Sequence, residues 1–267
     1  MTLPATAQHG ARSSSILSSI TSPSALSLAV IGAAAVVTVG TGQRRNILAP
    51  SDWLELERIA KHLTARDDLK IVAFRGAGMT FSAGSDLRYW DGGESRTIDD
   101  DFARIESALQ AIEGIPVPTI AVVEGVAAGA GCELALACDL RIFAQSAWIG
   151  LPIVQLGVLV SPHFALRLTL LVGVSRAREL LYSGRLVSAA EADKLGMATT
   201  VVTESQVEAE LARWVEDISR QPRRGLVAAK FASSVALRDL RAKHDAPAWT
   251  SSDPDELPGR IQAFFAR

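Results

Sequence analysis

Cysteine is nearly absent: Cys132 and Cys138 are the only two in 267 residues. They fall in one segment that reads as a buried helix, where thiols behave as small hydrophobes. A disulfide framework or a thiolate metal site needs partners or spacing that the chain lacks. No cluster of metal-ligating side chains stands out, so no metal is expected. A cytoplasmic location is the default for such cysteine usage. An excess of one charge is missing too. The net charge is −2 with 21% charged residues, and Lys and Arg are dispersed without a basic stripe, which argues against nucleic acid as a partner. Long hydrophobic runs are missing as well. Leu26 to Val39 is strongly apolar and lies in a stretch without charge between Arg12 and Arg44. It falls short of the ~20 residues of a membrane helix and is interrupted by Gly32, so no membrane partner is expected.

What is present is enough apolar sequence, 48%, for one sizeable α/β core. The richest segment is TIAVVEGVAAGAGCELALACD, residues 119–139. A β-branched run ends in Glu124-Gly125, a small-residue turn covers Ala127 to Gly131, and an amphipathic segment carries a single acid, Glu133. Strand, glycine-rich turn and helix start, in that order, present backbone N–H groups at a helix N-terminus. Such donors can hold a developing oxyanion. Glu133 stands three residues after Ala130, on the same helical face and one turn in. A second segment, VAFRGAGMTFSAGSDL at 72–87, repeats the plan: a buried-strand run, glycines, then Phe81-Ser82-Ala83-Gly84-Ser85-Asp86-Leu87.

Together these two segments resemble the enoyl-CoA hydratase/isomerase superfamily, the crotonases. The likeness continues through RRNILAP (44–50) and LVGVSRARELLYSGRLVSAAEADKLGMATTVV (171–202) into the C-terminal helices, covering residues 26–266. It implies an α/β fold with a crotonase-like ββα spiral core over 26–203 and a C-terminal helical region over 204–267, preceded by a flexible extension over 1–25. It also implies that LSLAVI and AAVVTVG are two strands, not a membrane segment, and that the protein forms a homotrimer or hexamer. The partner it implies is an acyl-CoA or acyl-carrier thioester as substrate, with no separate cofactor.

By the same resemblance the oxyanion donors are the amides of Ser85 and Ala130, and Glu133 is a catalytic carboxylate. Alanine stands at 130 where the family usually has glycine, which is strained only if the position needs φ > 0. Substrate contacts are expected at Arg45, Ala83, Asp86, Leu87, Gly129 and Ile153. Hydratases of the family use two glutamates to position water and move a proton. The second should fall twenty residues after Glu133, where this chain reads Leu151-Pro152-Ile153. Isoleucine cannot replace it. His163, in Val160-Ser161-Pro162-His163-Phe164, is a candidate for the missing proton transfer; a helix-start or subunit-contact histidine is the plain alternative. Ser161 reads as an N-cap, Asp86 equally as a turn or cap acid, and Asp139 as a structural hydrogen-bonding residue. Tyr89 and Trp90 either line the acyl pocket or pack elsewhere. Three functions stay open: a hydratase/isomerase-type lyase or isomerase, another thioester reaction such as hydrolysis, decarboxylation or C–C bond chemistry, and a degenerate binding partner.

Periodicity places helices at Asp52–Leu63, with Ser51 as N-cap, at Ile98–Ile112, from Phe164 onward with Arg176–Tyr182, at Ala189–Leu195, and over Gln206–Ile218, Arg224–Ala242 and Pro258–Phe265. Short strands are expected at Arg141–Ala144, Ala147–Gly150 and 198–202.

Overall fold

The computed structural model of the chain describes residues 25–90, 95–242, 252–253 and 255–266. The extension read over residues 1–25 lies, apart from Ala25, outside them. In chain order the elements are β1 (Leu26–Ile31), β2 (Ala34–Val39), α1 (Pro50–Thr64), β3 (Ile71–Gly76), α2 (Ser95–Glu113), β4 (Thr119–Val123), β5 (Val126–Ala128), α3 (Ala130–Ala137), β6 (Leu140–Ala144), β7 (Trp148–Gly150), α4 (Pro162–Ser183), β8 (Leu186–Ser188), α5 (Ala189–Lys194), β9 (Thr200–Val202), α6 (Val207–Ser219), α7 (Arg223–Ala242) and α8 (Leu257–Phe265).

The apolar run from Leu26 to Val39 is a hairpin. β1 and β2 pair antiparallel, with Ile31 opposite Ala34, and Gly32 takes the left-handed φ of 60° that the tight turn requires. From β2 onward the large sheet is parallel, in the order β1-β2-β3-β4-β6-β9. A smaller sheet runs β5-β7-β8. Isolated bridges from Ser82 to Ala127 and from Leu48 to Ser85 continue that second layer back along the chain. Successive passes of the chain thus add a strand to the large sheet and a short segment to the small one, with helices between. This is the ββα spiral expected from the sequence.

The inner strands β3, β4 and β6 are buried on both faces, which is why they read as largely apolar runs, while edge strand β1 is mostly exposed. Phe74, Ala121 and Val123 point into the main core with Trp53 and Leu56 of α1, Leu109 of α2 and Leu134 of α3. Their neighbours Ile71, Ala73, Ile120 and Val122 point the other way, into a second core closed by Val207 and Leu211 of α6. The tail from α6 onward is helical, as expected.

Three local readings are corrected. Ser51 is not the N-cap of α1: Pro50 needs no partner for an N–H and occupies the first turn, so Ala49 is the capping position and the Asp52 carboxylate accepts from Ala49 N at 2.8 Å. Ala127 and Ala128, read as turn, belong to β5, because Val126 and Ala128 bond to Ser82. The helical run expected from Phe164 starts at Pro162 and breaks at Gly173 (φ 76°, ψ 162°), so the second segment, read as Arg176–Tyr182, is the part of α4 after that break and runs on to Ser183. Strand β8 was not legible: three residues carry too little periodicity.

Candidate active site

The two glycine-rich segments meet. Ser82 N donates to Val126 O at 3.0 Å, and Ala128 N donates to Ser82 O at 2.9 Å. A Cβ on Gly84 would lie 2.7 Å from Ala128 O and 2.9 Å from Ala130 N, and one on Gly131 would lie 2.2 Å from Ser82 O. Only glycine permits backbones to approach so closely, and Gly84 also holds φ at +92°. Ala83, Ser85, Leu87, Gly129 and Ala130 are half-buried along this seam, while Ser82, Gly84 and Asp86 alternate inward. Among the described residues, neither the Ser85 N–H nor the Ala130 N–H donates to a backbone carbonyl. Ala130 opens α3, where the first amides have no intrahelical partner.

The alanine at 130 carries no backbone strain. The left-handed φ falls one residue earlier, on Gly129 (φ 55°, ψ −128°), whose N–H donates to Gly150 O at 3.0 Å. Ser85 is held from two sides. Its stretch of chain pairs with Leu48, and its Oγ accepts from Trp53 Nε1 at 3.1 Å.

Beneath the seam lies a turn of uncommon backbone. Arg44, Arg45 and Asn46 all have left-handed φ, at 50°, 55° and 53°. Each such residue costs roughly 1–2 kcal/mol. The buried Asn46 offsets this: its Nδ2 donates to Ala77 O, Thr80 O and Phe81 O at 2.9, 2.8 and 3.2 Å, and its Oδ1 accepts from Gly42 N at 2.8 Å. Arg45 O accepts from Ala83 N, and Asn46 O from Ser82 Oγ, both at 2.8 Å. Arg45 therefore reaches the seam through its backbone, while its side chain is exposed. Sequence reasoning expected a substrate contact at Arg45 and passed over Asn46. Asparagine's tolerance of left-handed backbone was the available signal.

Glu133 sits one turn into α3 and is 8% exposed. Burial pushes its pKa from 4.5 up to about 8; the Arg167 guanidinium pulls it down and Glu106 pushes it further up. Arg167, on α4, is itself buried and bidentate to two carboxylates. It donates to Glu106 at 2.6 and 2.9 Å and to Glu113 at 2.9 and 3.2 Å. Burial disfavours its charge, but the hydrogen bonds it donates to Glu106 and Glu113 hold its pKa above the usual range. This clamp was not foreseen, because its carboxylates lie 54 and 61 residues away in sequence.

The other expected residues fall around this frame. Ile153 is buried in the main core just after β7, whose end bonds to Gly129. Asp86 caps the 3-10 turn Leu87–Tyr89, accepting from Arg88 N at 3.2 Å and pairing with Arg88 and, at 3.7 Å, Arg44. Ser161 caps α4, accepting from Phe164 N at 3.2 Å. Asp139 accepts from Thr119 N at 2.8 Å and pairs with Lys230 of α7 at 2.7 Å. Tyr89 is exposed, and Trp90 is buried with its Nε1 on Asp101. His163 lines a cavity of about 1090 Å³ with Glu113, Leu136, Arg167 and Lys230; Ser85, Ala130, Glu133 and Ile153 are not in its lining. No group of three or more His, Cys, Asp or Glu among the described residues is placed to hold a metal ion, and no helix among them is long and apolar enough to cross a membrane.

The family model for enoyl-CoA hydratase/isomerase matches residues 33–246. The chain belongs to that family. A "probable enoyl-CoA hydratase" of Mycobacterium leprae is 34% identical over 209 residues, covering 78% of this chain and 80% of that one. A crystal structure of enoyl-CoA hydratase from Bacillus anthracis superposes with a TM-score of 0.77 at 31% identity, over 82% of this chain and 86% of that one. A Thermobifida fusca relative solved in complex with CoA gives a TM-score of 0.72 at 29% identity, over 90% and 91% of the two chains. As a member of the enoyl-CoA hydratase/isomerase family the chain is an acyl-CoA-processing protein on the crotonase fold. Which reaction it performs is a question for its own side chains, because one fold serves many chemistries.

Proposed function

We propose that the protein is an acyl-CoA enzyme in which the Ser85 and Ala130 amides hold the thioester oxygen as negative charge develops on it, with Glu133 as the only acid–base carboxyl. One observation carries the reading: two uncommitted N–H groups on abutting glycine-rich backbones, with a buried carboxyl one turn along the helix that bears the second. One such donor contributes about 3 kcal/mol to a transition state, so a pair amounts to several. Fixed by backbone geometry, these donors do not reorganise when the charge appears. With a pKa of about 8, Glu133 carries its proton at neutral pH. It is therefore suited to deliver that proton to an enolate carbon rather than to remove one. No cofactor enters this scheme; the CoA thioester is the substrate.

Ile153 favours a second reading within the same family. Hydration by two glutamates is not available where a buried isoleucine holds the second position. Decarboxylation and C–C bond cleavage leave an enolate that the oxyanion donors hold and that needs one proton delivered to carbon; hydrolysis instead passes through a tetrahedral intermediate held by the same donors, the attacking water's proton passing to the departing CoA thiolate. The cavity lined by His163 lacks Glu133, which supports a scheme in which His163 is not the second proton carrier.

A thioester panel decides between them. Purified protein is offered crotonyl-CoA, a 3-enoyl-CoA, a malonyl-type CoA and an aromatic acyl-CoA, with products followed by mass and CoA affinity measured in parallel. Mass gained as water identifies hydration, unchanged mass isomerisation, and loss of carbon dioxide or of free CoA the second reading. Neither turnover nor CoA binding with any member would overturn the enzymatic assignment in favour of a degenerate binding partner.

A further inference from the structure

The Glu106–Arg167–Glu113 clamp spans the helix that carries Glu133. α3 packs against both α2 and α4. Glu106 and Glu113 stand one above the other on α2, and Arg167 reaches both from α4 through four hydrogen bonds. Such a two-pronged buried pairing fixes the spacing of two helices more tightly than apolar contact alone. We propose that Arg167 is a positioning residue for Glu133: by clamping α2 to α4 across α3 it sets both the placement of the Glu133 carboxyl and the balance of charge around it. This rests on the reading of Glu133 as the acid–base group.

The groups facing Glu133 are few. Arg167 supplies the positive charge from α4 and Glu106 the negative charge from α2; Cys132 is its neighbour on α3. Strands β4 and β5, which also pack on α3, contribute no ionisable side chain, reading TIAVV and VAA. Arg167 and Glu106 therefore bias the same carboxyl in opposite senses while they bind each other. A merely structural clamp would lose stability when either partner is removed. A clamp that also sets the field at Glu133 must shift its titration in opposite directions for the two partners.

The test follows the protonated Glu133 carboxyl by infrared difference spectroscopy against Glu133→Gln across a pH series in the full chain. Glu106→Gln, which keeps the hydrogen-bonding shape, is expected to move the titration to lower pH by about half a unit or more. Arg167→Met is expected to move it to higher pH, and Arg167→Lys to restore it towards wild type while kcat stays depressed more than KM is raised. Should Arg167→Met fail to fold, Glu106→Gln and Arg167→Lys still give the answer. Shifts of the same sign for Glu106→Gln and Arg167→Met, or no shift in Glu106→Gln, would overturn the proposal. The spectroscopic titration is read without substrate. If Glu133→Gln kept full turnover, the acid–base reading would fall, and the effect of the clamp on the carboxyl would still be measured separately.

Discussion

At the scale of single residues, the proposed chemistry turns on Glu133, a buried carboxyl whose pKa burial raises to about 8. Glu133→Gln preserves size and hydrogen bonding but removes the acid, so turnover of any productive thioester is expected to fall by at least ~10²-fold. Unchanged turnover would remove Glu133 from the mechanism. The wild-type rate is expected to fall as pH rises through about 8, where the proton is lost. The same group leaves a mark on stability. Unfolded, the carboxyl ionises near 4.5; folded, near about 8. Below the first value both states bind the proton. Between the two the unfolded chain releases it and the folded chain retains it, so this group's contribution to stability falls as pH rises. Glutamine does not titrate. The melting temperature of Glu133→Gln should therefore gain on the wild type between about pH 5 and pH 8, a comparison that calorimetry makes directly. His163→Ala, by contrast, is expected to leave kcat/KM within a few-fold of wild type, since the cavity it lines excludes the seam residues; a loss of ~10²-fold would restore it as a proton carrier. Glu133 was legible from its spacing to the glycine turn. Arg167 was not: an arginine in an amphipathic helix announces no partner when those partners are 54 and 61 residues distant.

At the scale of elements, the seam depends on glycines and on one asparagine. Gly84→Ala brings a methyl to 2.7 Å from Ala128 O at a residue with φ +92°. Space and backbone both refuse it, so a loss of about 2 kcal/mol or more in denaturant melts is expected, together with a larger loss of turnover as the two donors separate. Asn46→Ala removes the two Nδ2 hydrogens shared among three carbonyls and the support of a turn strained at three successive residues. Its cost is expected at ~2–4 kcal/mol, with kcat falling because the loop carrying Ser85 loosens. A melt indistinguishable from wild type would show that the left-handed turn is held by something else. The glycine-rich turns were readable because glycine is scarce in element interiors and marks close approach. The left-handed turn at Arg44–Asn46 was not, since beyond the tolerance of Asn46 for such backbone its conformation is imposed by bonds to residues 77–83. Ser51 was misread as a cap for a related reason: Pro50 and Asp52 settle the start of α1 between them.

At the scale of the whole molecule, the spiral was legible through the family resemblance, and its inner strands through their burial on both faces. Parallel strands covered on both faces appear in sequence as β-branched runs, and Ile71–Gly76 and Thr119–Val123 are such runs. What sequence could not show is which distant segments close over the site. The loop that bears Ile153 is closed by the far end of the chain. Val158 pairs with Ser252, Asp253 N donates to Gly157 O at 3.1 Å, and α8 packs on residues 154–156 through the fully buried Ile261 and Leu257. This contact joins residues about a hundred positions apart with few hydrogen bonds, so it belongs to the part of the structure that opens before the sheet does. Ile261→Asp places a charge in that contact. Leu257 and Ile261 are continuous with the main core at the Ile153 end, but the second face of β3, β4 and β6 is closed by α6, so hydrogen exchange is expected to accelerate at residues 151–158 and in α8 while amides of those strands keep their protection. Acceleration spread evenly over the sheet would mean that α8 is part of the main cooperative unit. Confined to the Ile153 loop, it would mean that the C-terminal helix acts as a local cover over the position where the family resemblance leads one to expect a second glutamate.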